Sequence, residues 1–425
     1  MPRVDRAPPS PRTVVVSGLG AVTPFGWDTS STWNGLRSGK TAIGPFDRFD
    51  HSGYRTHVAA QVDLAHAAPR PRGKPARISL ADRYAVCAAR EALSQAGLGG
   101  GDWTRRAGVF FGSSTGGMLE NERYFEALLA AEGGPKRRLP PMSILAPQQY
   151  NAPGDAVARA LGIGGPVQTV SAACASGAMA IGDALRAVRS GEVDTAIAGG
   201  SDSLCRLTYA GFNALRSVDE RPCRPFRKDR AGLSIGEGAG VIVLEPLERV
   251  LARGARPLAL AAGEAATCDA FHMTAPHPQG AGAAEAIRAA LVDAQLDPGD
   301  IDFVNAHGTG TPLNDLAECE ALASVFGERA RQLPVTSTKS LVGHLLGSAG
   351  AVEAVATVLC LIAGEVHPMP AEGESDPAIG VQLVLGSPVK LERARHALST
   401  SLAFGGANAA LIFSRPPRRN DRDAD

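Results

Sequence analysis

"ASGAMAIGDALRAVRSGEV" (residues 175–193) and "SAGAVEAVATVLCLIAGEV" (residues 348–366) can be laid on one another without a gap. Each opens on small residues, continues as an Ala-rich helical segment and closes on Gly-Glu-Val. Each also follows a short β-like run, "PVQTV" (166–170) in one case and "PVTST" (334–338) in the other. Two readings stand. Buried Ala-rich helices can look alike by composition alone, or the chain carries a duplicated α/β half. On the second reading, a strand-to-helix junction from each half meets at one site. Cys174 then opens one helix, and the polar run "TKSLVGHLLGS" (338–348) leads into the other.

Outward from the echo, short apolar runs alternate with helical spacing. "TVVVSGLGAVTP" (13–24), "AGVFFGSSTGG" (107–117), "VDTAIAGGSDS" (193–203), "AGVIVLE" (239–245), "PLALAAGEAA" (257–266), "IDFVNAHGTGT" (301–311) and "HALSTSLAFGGANAALIFS" (396–414) read as buried strands. Between them, "SLADRYAVCAAREALSQAGL" (79–98) and "GAGAAEAIRAALVDAQL" (280–296) repeat apolar residues with a helical period. Strands alternating with helices predict α/β layering. The division expected is an N-terminal half at 13–256 and a C-terminal half at 257–414, with polar tails at 1–12 and 415–425.

Lys plus Arg and Asp plus Glu number 43 each, so the chain carries no overall basic footprint for nucleic acid. Its seven cysteines are scattered singly, with no CxxC pair. That is the pattern of a reducing compartment, and a cytoplasmic location is expected. No apolar run approaches the roughly 20 residues that span a bilayer, so no membrane contact is expected. The N-terminal "MPRVDRAPPSPR" has no apolar core of a signal peptide.

Cys174 stands where a strand-like run gives way to a helix. The free N–H groups there favour a thiolate and can donate to an oxyanion, whereas an ordinary buried Cys is only a small hydrophobe. Of nine histidines, His307 in "NAHGTGT" and His344 in "STKSLVGHLLGSAG" lie at comparable strand ends, and Lys339 precedes His344 by one helical turn and a residue. Together these supply a nucleophile, hydrogen-bond donors and a fixed positive charge. Other motifs are weaker. "SGLGAVTP" lacks the third small residue of a dinucleotide loop, and "CDAFHMTAPH" lacks a second ligand cluster for zinc.

"SAACASGA", "HGTGTPLND", "TSTKSLVGHLLGSAG" and "LAFGGANAAL" occur in the order and spacing of the β-ketoacyl-acyl carrier protein synthases, which the chain resembles from about Thr13 to about Ser414. "RPFRKDRAGLSIGEGAGVIVLE" (224–245) and "CDAFHMT" (268–274) add to the likeness. The resemblance is to the elongating, Cys-His-His branch. It implies a thiolase-like αβαβα five-layer sandwich of two similar halves. The implied activity is decarboxylative condensation of an acyl thioester with a malonyl thioester in fatty-acid or polyketide chain elongation.

The resemblance also implies roles. Cys174 would take the acyl chain, while His307 and His344 would stabilise the enolate. Lys339 would order the histidines with Glu318 as its acidic partner, and the Phe404 backbone would complete an oxyanion hole. Thr309 and Thr311 would touch the pantetheine arm of the carrier, Thr274 would contact substrate, and Thr115 would stand near the bottom of the acyl pocket. Arg70, Arg72, Lys74 and Arg77 would meet the acidic acyl carrier protein. No cofactor or metal is implied beyond the carrier's phosphopantetheine. A homodimer is expected, or a heterodimer with a second ketosynthase-like subunit.

Four positions depart from the family pattern: Ala172 before the Cys174 turn, Thr115, Ser348 and Ala407. A thiolase would need a second Cys where this chain has "AFGGANAA", and a silent partner subunit would lack Cys174. A Cys–His hydrolase would not need the "TKSLVGH" motif. A dedicated ketosynthase of a type II polyketide or polyene pathway keeps every one of these residues.

Overall fold

A computed structural model describes residues 12–65, 78–99, 102–131 and 142–416. The expected tails lie outside these residues apart from Arg12, Arg415 and Pro416, and so do Arg70, Arg72, Lys74 and Arg77.

The first half contributes strands β1 (Val14–Val22), β2 (Ala107–Gly112), β3 (Val167–Val170), β4 (Thr195–Asp202) and β5 (Gly238–Pro246). The second contributes β6 (Ala259–Cys268), β7 (Phe303–Asn305), β8 (Pro334–Thr336), β9 (Gln382–Leu383), β10 (His396–Leu402) and β11 (Ala407–Ser414). Their order is β9-β8-β7-β10-β11-β6-β1-β5-β4-β2-β3. Outward from the centre, β1-β5-β4-β2-β3 is matched by β6-β11-β10-β7-β8. In each set the first two neighbouring pairs are antiparallel and the next two are parallel. A short antiparallel contact, Val15 opposite Leu260 and Val16 opposite Ala259, joins the two sets. The repeated strand order makes the echo a duplication of structure and not a coincidence of composition.

The helices occupy three layers. α1 (Leu80–Gln95) and α2 (Ala152–Leu161) cover the outer face of the first set, burying Val109, Phe111, Ile197 and Val241. α1 starts sharply because Ser79 and Asp82 form a reciprocal capping box. α3 (Ser176–Ser190) and α6 (Ala349–Ala363) fill the middle, where Ile181, Leu185, Val355 and Val358 share a core with Ile242 and Leu411. α4 (Ala281–Ala294) and α5 (Pro312–Phe326) cover the second set around Ile287, Leu322, Val335 and Ile412. The result is the five-layer, thiolase-like sandwich.

Small residues allow the two central helices to touch backbone to backbone. A Cβ at Gly350 would lie 2.8 Å from Ala178 Cβ and 2.9 Å from Ala178 N, so only glycine fits. The stretch Leu346–Ala363 is long and apolar enough to cross a bilayer by composition, yet 83% of it is buried in this middle layer. Both catalytic-looking turns sit at the N-terminal ends of these helices, which brings the two halves' junctions together.

Candidate active site

Cys174 precedes α3 in a tight turn. Ala173, the residue before it, has φ +46°, a left-handed conformation unusual for a side-chain-bearing residue. Three hydrogen bonds hold that strain: Ser176 Oγ donates to the Ala173 carbonyl (2.6 Å), Ser114 Oγ donates to the same oxygen (3.0 Å), and the Ala172 N–H donates to Ser176 Oγ (2.9 Å). The thiol is 8% exposed. Burial pushes it up to about 11, against the lowering effects of the Lys339 charge and a hydrogen bond from the Phe404 backbone. Burial thus opposes the thiolate that the helix end and the Lys339 charge favour.

His307 follows β7 and is fully enclosed. Lys339 Nζ donates to its Nδ1 (2.9 Å) and to its backbone carbonyl (2.7 Å), and a third proton goes to Glu353 Oε1. All three ammonium protons are used, so Nδ1 is an acceptor and the ring proton sits on Nε2. His344 reaches the same state by another route. The Leu346 N–H donates to its Nδ1 (3.1 Å), leaving Nε2–H as the donor. The two rings lie edge to face with centroids 5.4 Å apart. Burial first, then the Lys339 charge, hold both imidazoles well below their ordinary range, so both are neutral.

Glu318, on α5, does not pair with Lys339. Its carboxylate accepts the backbone N–H groups of His307 and Gly308 (2.8 Å each) and the Thr400 hydroxyl (2.7 Å), and burial pushes it up to about 7. The acid that partners Lys339 is Glu353 on α6, buried to 2% of its side chain. The sequence reading missed it. The signal was there, since Glu353 is the one charged residue in the apolar run "AGAVEAVATVLCLIA".

Cys174, His307 and His344 line one cleft of about 1030 Å³, counting its open mouth, with Thr274, Thr309, Thr311 and Phe404 on its walls. The Thr309 and Thr311 hydroxyls are 2.8 Å apart, and the Phe404 ring packs on Phe212 at 5.8 Å. Thr115 is not on this wall. Its hydroxyl donates to the Asp202 carboxylate at 2.8 Å. Among the described residues no cluster of three or more His, Cys, Asp or Glu could hold a metal ion. A weakly acidic thiol beside two neutral N–H donors suits acyl transfer followed by stabilisation of an enolate.

The sequence matches the family descriptions "Beta-ketoacyl synthase, N-terminal domain" over residues 11–250 and "Beta-ketoacyl synthase, C-terminal domain" over residues 258–371. It is 39% identical over 415 residues to 3-oxoacyl-[acyl-carrier-protein] synthase 2 of Staphylococcus aureus, covering 95% of this chain and 98% of that one. Among solved structures it is similar to the ishigamide ketosynthase/chain length factor (TM-score 0.89, 35% identity, 96% and 100% of the two chains). It is also similar to a complex of a type II polyketide synthase acyl-carrier protein with its ketosynthase bound to the hexaketide (TM-score 0.85, 30% identity, 96% and 100%). With a cysteine turn and two histidine loops on a duplicated five-layer frame, and relatives matched end to end, the chain belongs to the β-ketoacyl synthase family of acyltransferases.

Proposed function

We propose that this acyltransferase condenses an acyl group held on Cys174 with a malonyl group carried by an acyl carrier protein, releasing carbon dioxide and a 3-oxoacyl thioester. The observation that carries the reading is the pair of neutral imidazoles whose Nδ1 atoms are both occupied, leaving two Nε2–H donors on the cleft that holds Cys174.

In the loading step Cys174 Sγ bonds to the acyl carbonyl carbon and the carrier's thioester bond breaks. The thiol proton leaves with the carrier sulfur, so no net charge is created. The Phe404 and Cys174 backbone N–H groups are the donors for the oxygen of the tetrahedral intermediate. In the condensing step the malonyl C–C bond to its carboxylate breaks, carbon dioxide departs and the electron pair becomes an enolate. His307 and His344 donate to the enolate oxygen. Neutral donors serve better than a base here, because no proton is removed from carbon. The enolate carbon then bonds to the acyl carbon, and the Cys174 thiolate leaves and is reprotonated. Lys339, Glu353 and Glu318 act as positioning residues for His307. Thr309 and Thr311, with Thr274 beside them, are placed to meet the carrier's pantetheine arm. No cofactor beyond that arm enters the scheme.

A second subunit fits the same reading. The ketosynthase/chain length factor structure favours a specialised elongation pathway with such a partner, while the 3-oxoacyl-[acyl-carrier-protein] synthase 2 relatives favour general acyl-chain elongation. The seven free cysteines support a cytoplasmic setting. A boundary between halves at residues 256 and 257 is supported by the repeated strand order.

The test is intact-protein mass spectrometry with a panel of acyl carrier protein thioesters, followed by malonyl carrier protein. The expected result is acyl mass on Cys174, then its loss with a product two carbons longer. Equal labelling of wild type and Cys174→Ala would overturn the assignment.

A further inference from the structure

Asp202 ends β4 and is completely buried, and among the described residues no salt bridge reaches it. Its carboxylate gathers donors from two segments, residues 113–115 and Gly347. Oδ1 accepts the Ser113 hydroxyl (2.8 Å), the Thr115 N–H (2.9 Å) and the Thr115 hydroxyl (2.8 Å). The Ser114 N–H is shared between the two oxygens at 3.1 and 3.0 Å. Oδ2 accepts the Gly347 N–H at 2.7 Å. Burial raises the Asp202 carboxyl above its ordinary range, and five neutral donors around it act the other way, favouring the charged form.

What these donors belong to matters more than their number. Ser114, pinned at its N–H by Asp202, sends its hydroxyl to the carbonyl of Ala173, the strained residue before Cys174. Gly347 lies three residues after His344 and one after Leu346, whose N–H fixes the His344 tautomer. A Cβ at Gly347 would lie 2.7 Å from Ser114 N and 2.8 Å from Asp202 Oδ2, so the His344 loop sits flush against this hub. One carboxylate from the first half therefore ties down the nucleophile turn on one side and the second half's histidine loop on the other. Among the described residues, the hydrogen bonds of the Lys339–Glu353–His307 chain do not reach the Cys174 turn, although its charges act on the thiol.

Resting on the condensing role of Cys174 and His344 argued above, we propose that Asp202 is a positioning residue. It clasps the Cys174 turn to the His344 loop and sets the separation across which the acyl carbon and the enolate must meet. A displacement of about 1 Å between such groups is enough for a loss on the order of 100-fold. Asn at this position keeps the shape but offers one acceptor oxygen in place of two and turns an N–H group toward other N–H groups. The clasp then opens on one side.

The experiment compares wild type, Asp202→Asn and Ser114→Ala in three measurements: Cys174 loading, single-turnover condensation of pre-loaded enzyme, and the pH profile of Cys174 alkylation by iodoacetamide read by peptide mass spectrometry. Melting temperature is followed in parallel. In Asp202→Asn, condensation of pre-loaded enzyme is expected to fall on the order of 100-fold. Its Cys174 alkylation midpoint is expected to move to lower pH, because a buried negative charge that holds the thiol up has been removed. Ser114→Ala keeps that charge and cuts only the link to Ala173, so loading slows by about fivefold and the alkylation midpoint stays.

Condensation within threefold of wild type together with an unmoved alkylation midpoint in Asp202→Asn would overturn the clasp. Should Asp202→Asn fail to fold, Ser114→Ala decides: unchanged loading overturns it. A wild type that never loads or condenses, while its alkylation still responds to Asp202→Asn, sinks the condensing reading and leaves the contact between Asp202 and the Cys174 turn standing.

Discussion

Lys339 Nζ donates to His307 Nδ1 at 2.9 Å and, with its remaining protons, to the His307 carbonyl and to Glu353. A cation thus holds a histidine neutral and aimed, because a proton on Nδ1 would face an ammonium group. The Lys339 charge also contributes to keeping His344 neutral.

Lys339 and Glu353 form the coupled pair, and Glu318 stands apart. In a double-mutant cycle, Lys339→Met with Glu353→Gln is expected to show an interaction energy of about 1–3 kcal/mol in unfolding, because either single change strands a buried charge. The same cycle with Glu318→Gln should give the smaller coupling, because Glu318 and Lys339 meet only through His307. Urea melts of the five variants and wild type measure both. Equal coupling in the two cycles would restore Glu318 as the partner.

The thiol of Cys174, pushed up to about 11, gains thiolate throughout the accessible range. Its alkylation by iodoacetamide should therefore rise by about tenfold per pH unit from pH 7 to 10. Peptide mapping separates this from the exposed Cys268. A plateau below pH 8 would mean that the helix end outweighs burial.

His344→Ala removes one of the two enolate donors and leaves the nucleophile turn intact. Decarboxylation of malonyl carrier protein should drop about 100- to 1000-fold, while Cys174 loading stays within about fivefold of wild type. Loss of both steps in proportion would place His344 in loading as well.

Acid stability follows from the same neutral histidines. Their folded pKa values lie below the unfolded value of 6.5, so the stability they permit is present above pH 6.5 and is lost as pH falls below it, when the unfolded chain takes up protons that the fold refuses. Glu318, pushed up to about 7, acts in the opposite direction between pH 7 and its ordinary value of 4.5. The wild-type melting temperature alone therefore mixes the two effects. The clean observable is the difference between wild type and His344→Ala, which should shrink as pH falls from 7 to 5.

Thr115→Val deletes a hydroxyl bound to Asp202 and keeps the volume. It should cost about 1–3 kcal/mol of stability by leaving a buried acceptor short of a donor, and the ranking of acyl donors should not change. A shifted ranking would show that the side chain reaches the acyl chain after all.

Much of this protein was legible in one dimension. The gapless echo of 175–193 on 348–366 announced two halves, since Ala- and Gly-rich helices recur where backbones must touch. The ordered motifs around Cys174, His307, Lys339 and His344 announced acyl-transfer chemistry, because each lies at a strand end or helix start where donors are free. The partner of Thr115 was not legible, because a hydroxyl near a pocket motif carries no record of what it bonds to.

Residue types, their order and the internal repeat were determined by the sequence alone, and these settled family and layering and pointed to Cys174. Pairings between distant segments were decided only by tertiary structure. Glu318 and Glu353 are both acids on helices near Lys339 in sequence, and nothing in their spacing tells which one meets it. Packing of the central helix puts Glu353 against the ammonium and turns Glu318 toward the His307 backbone. The thiol's proton was decided in the same way. A helix start favours thiolate and burial opposes it, and the balance depends on how completely the surrounding layers exclude water.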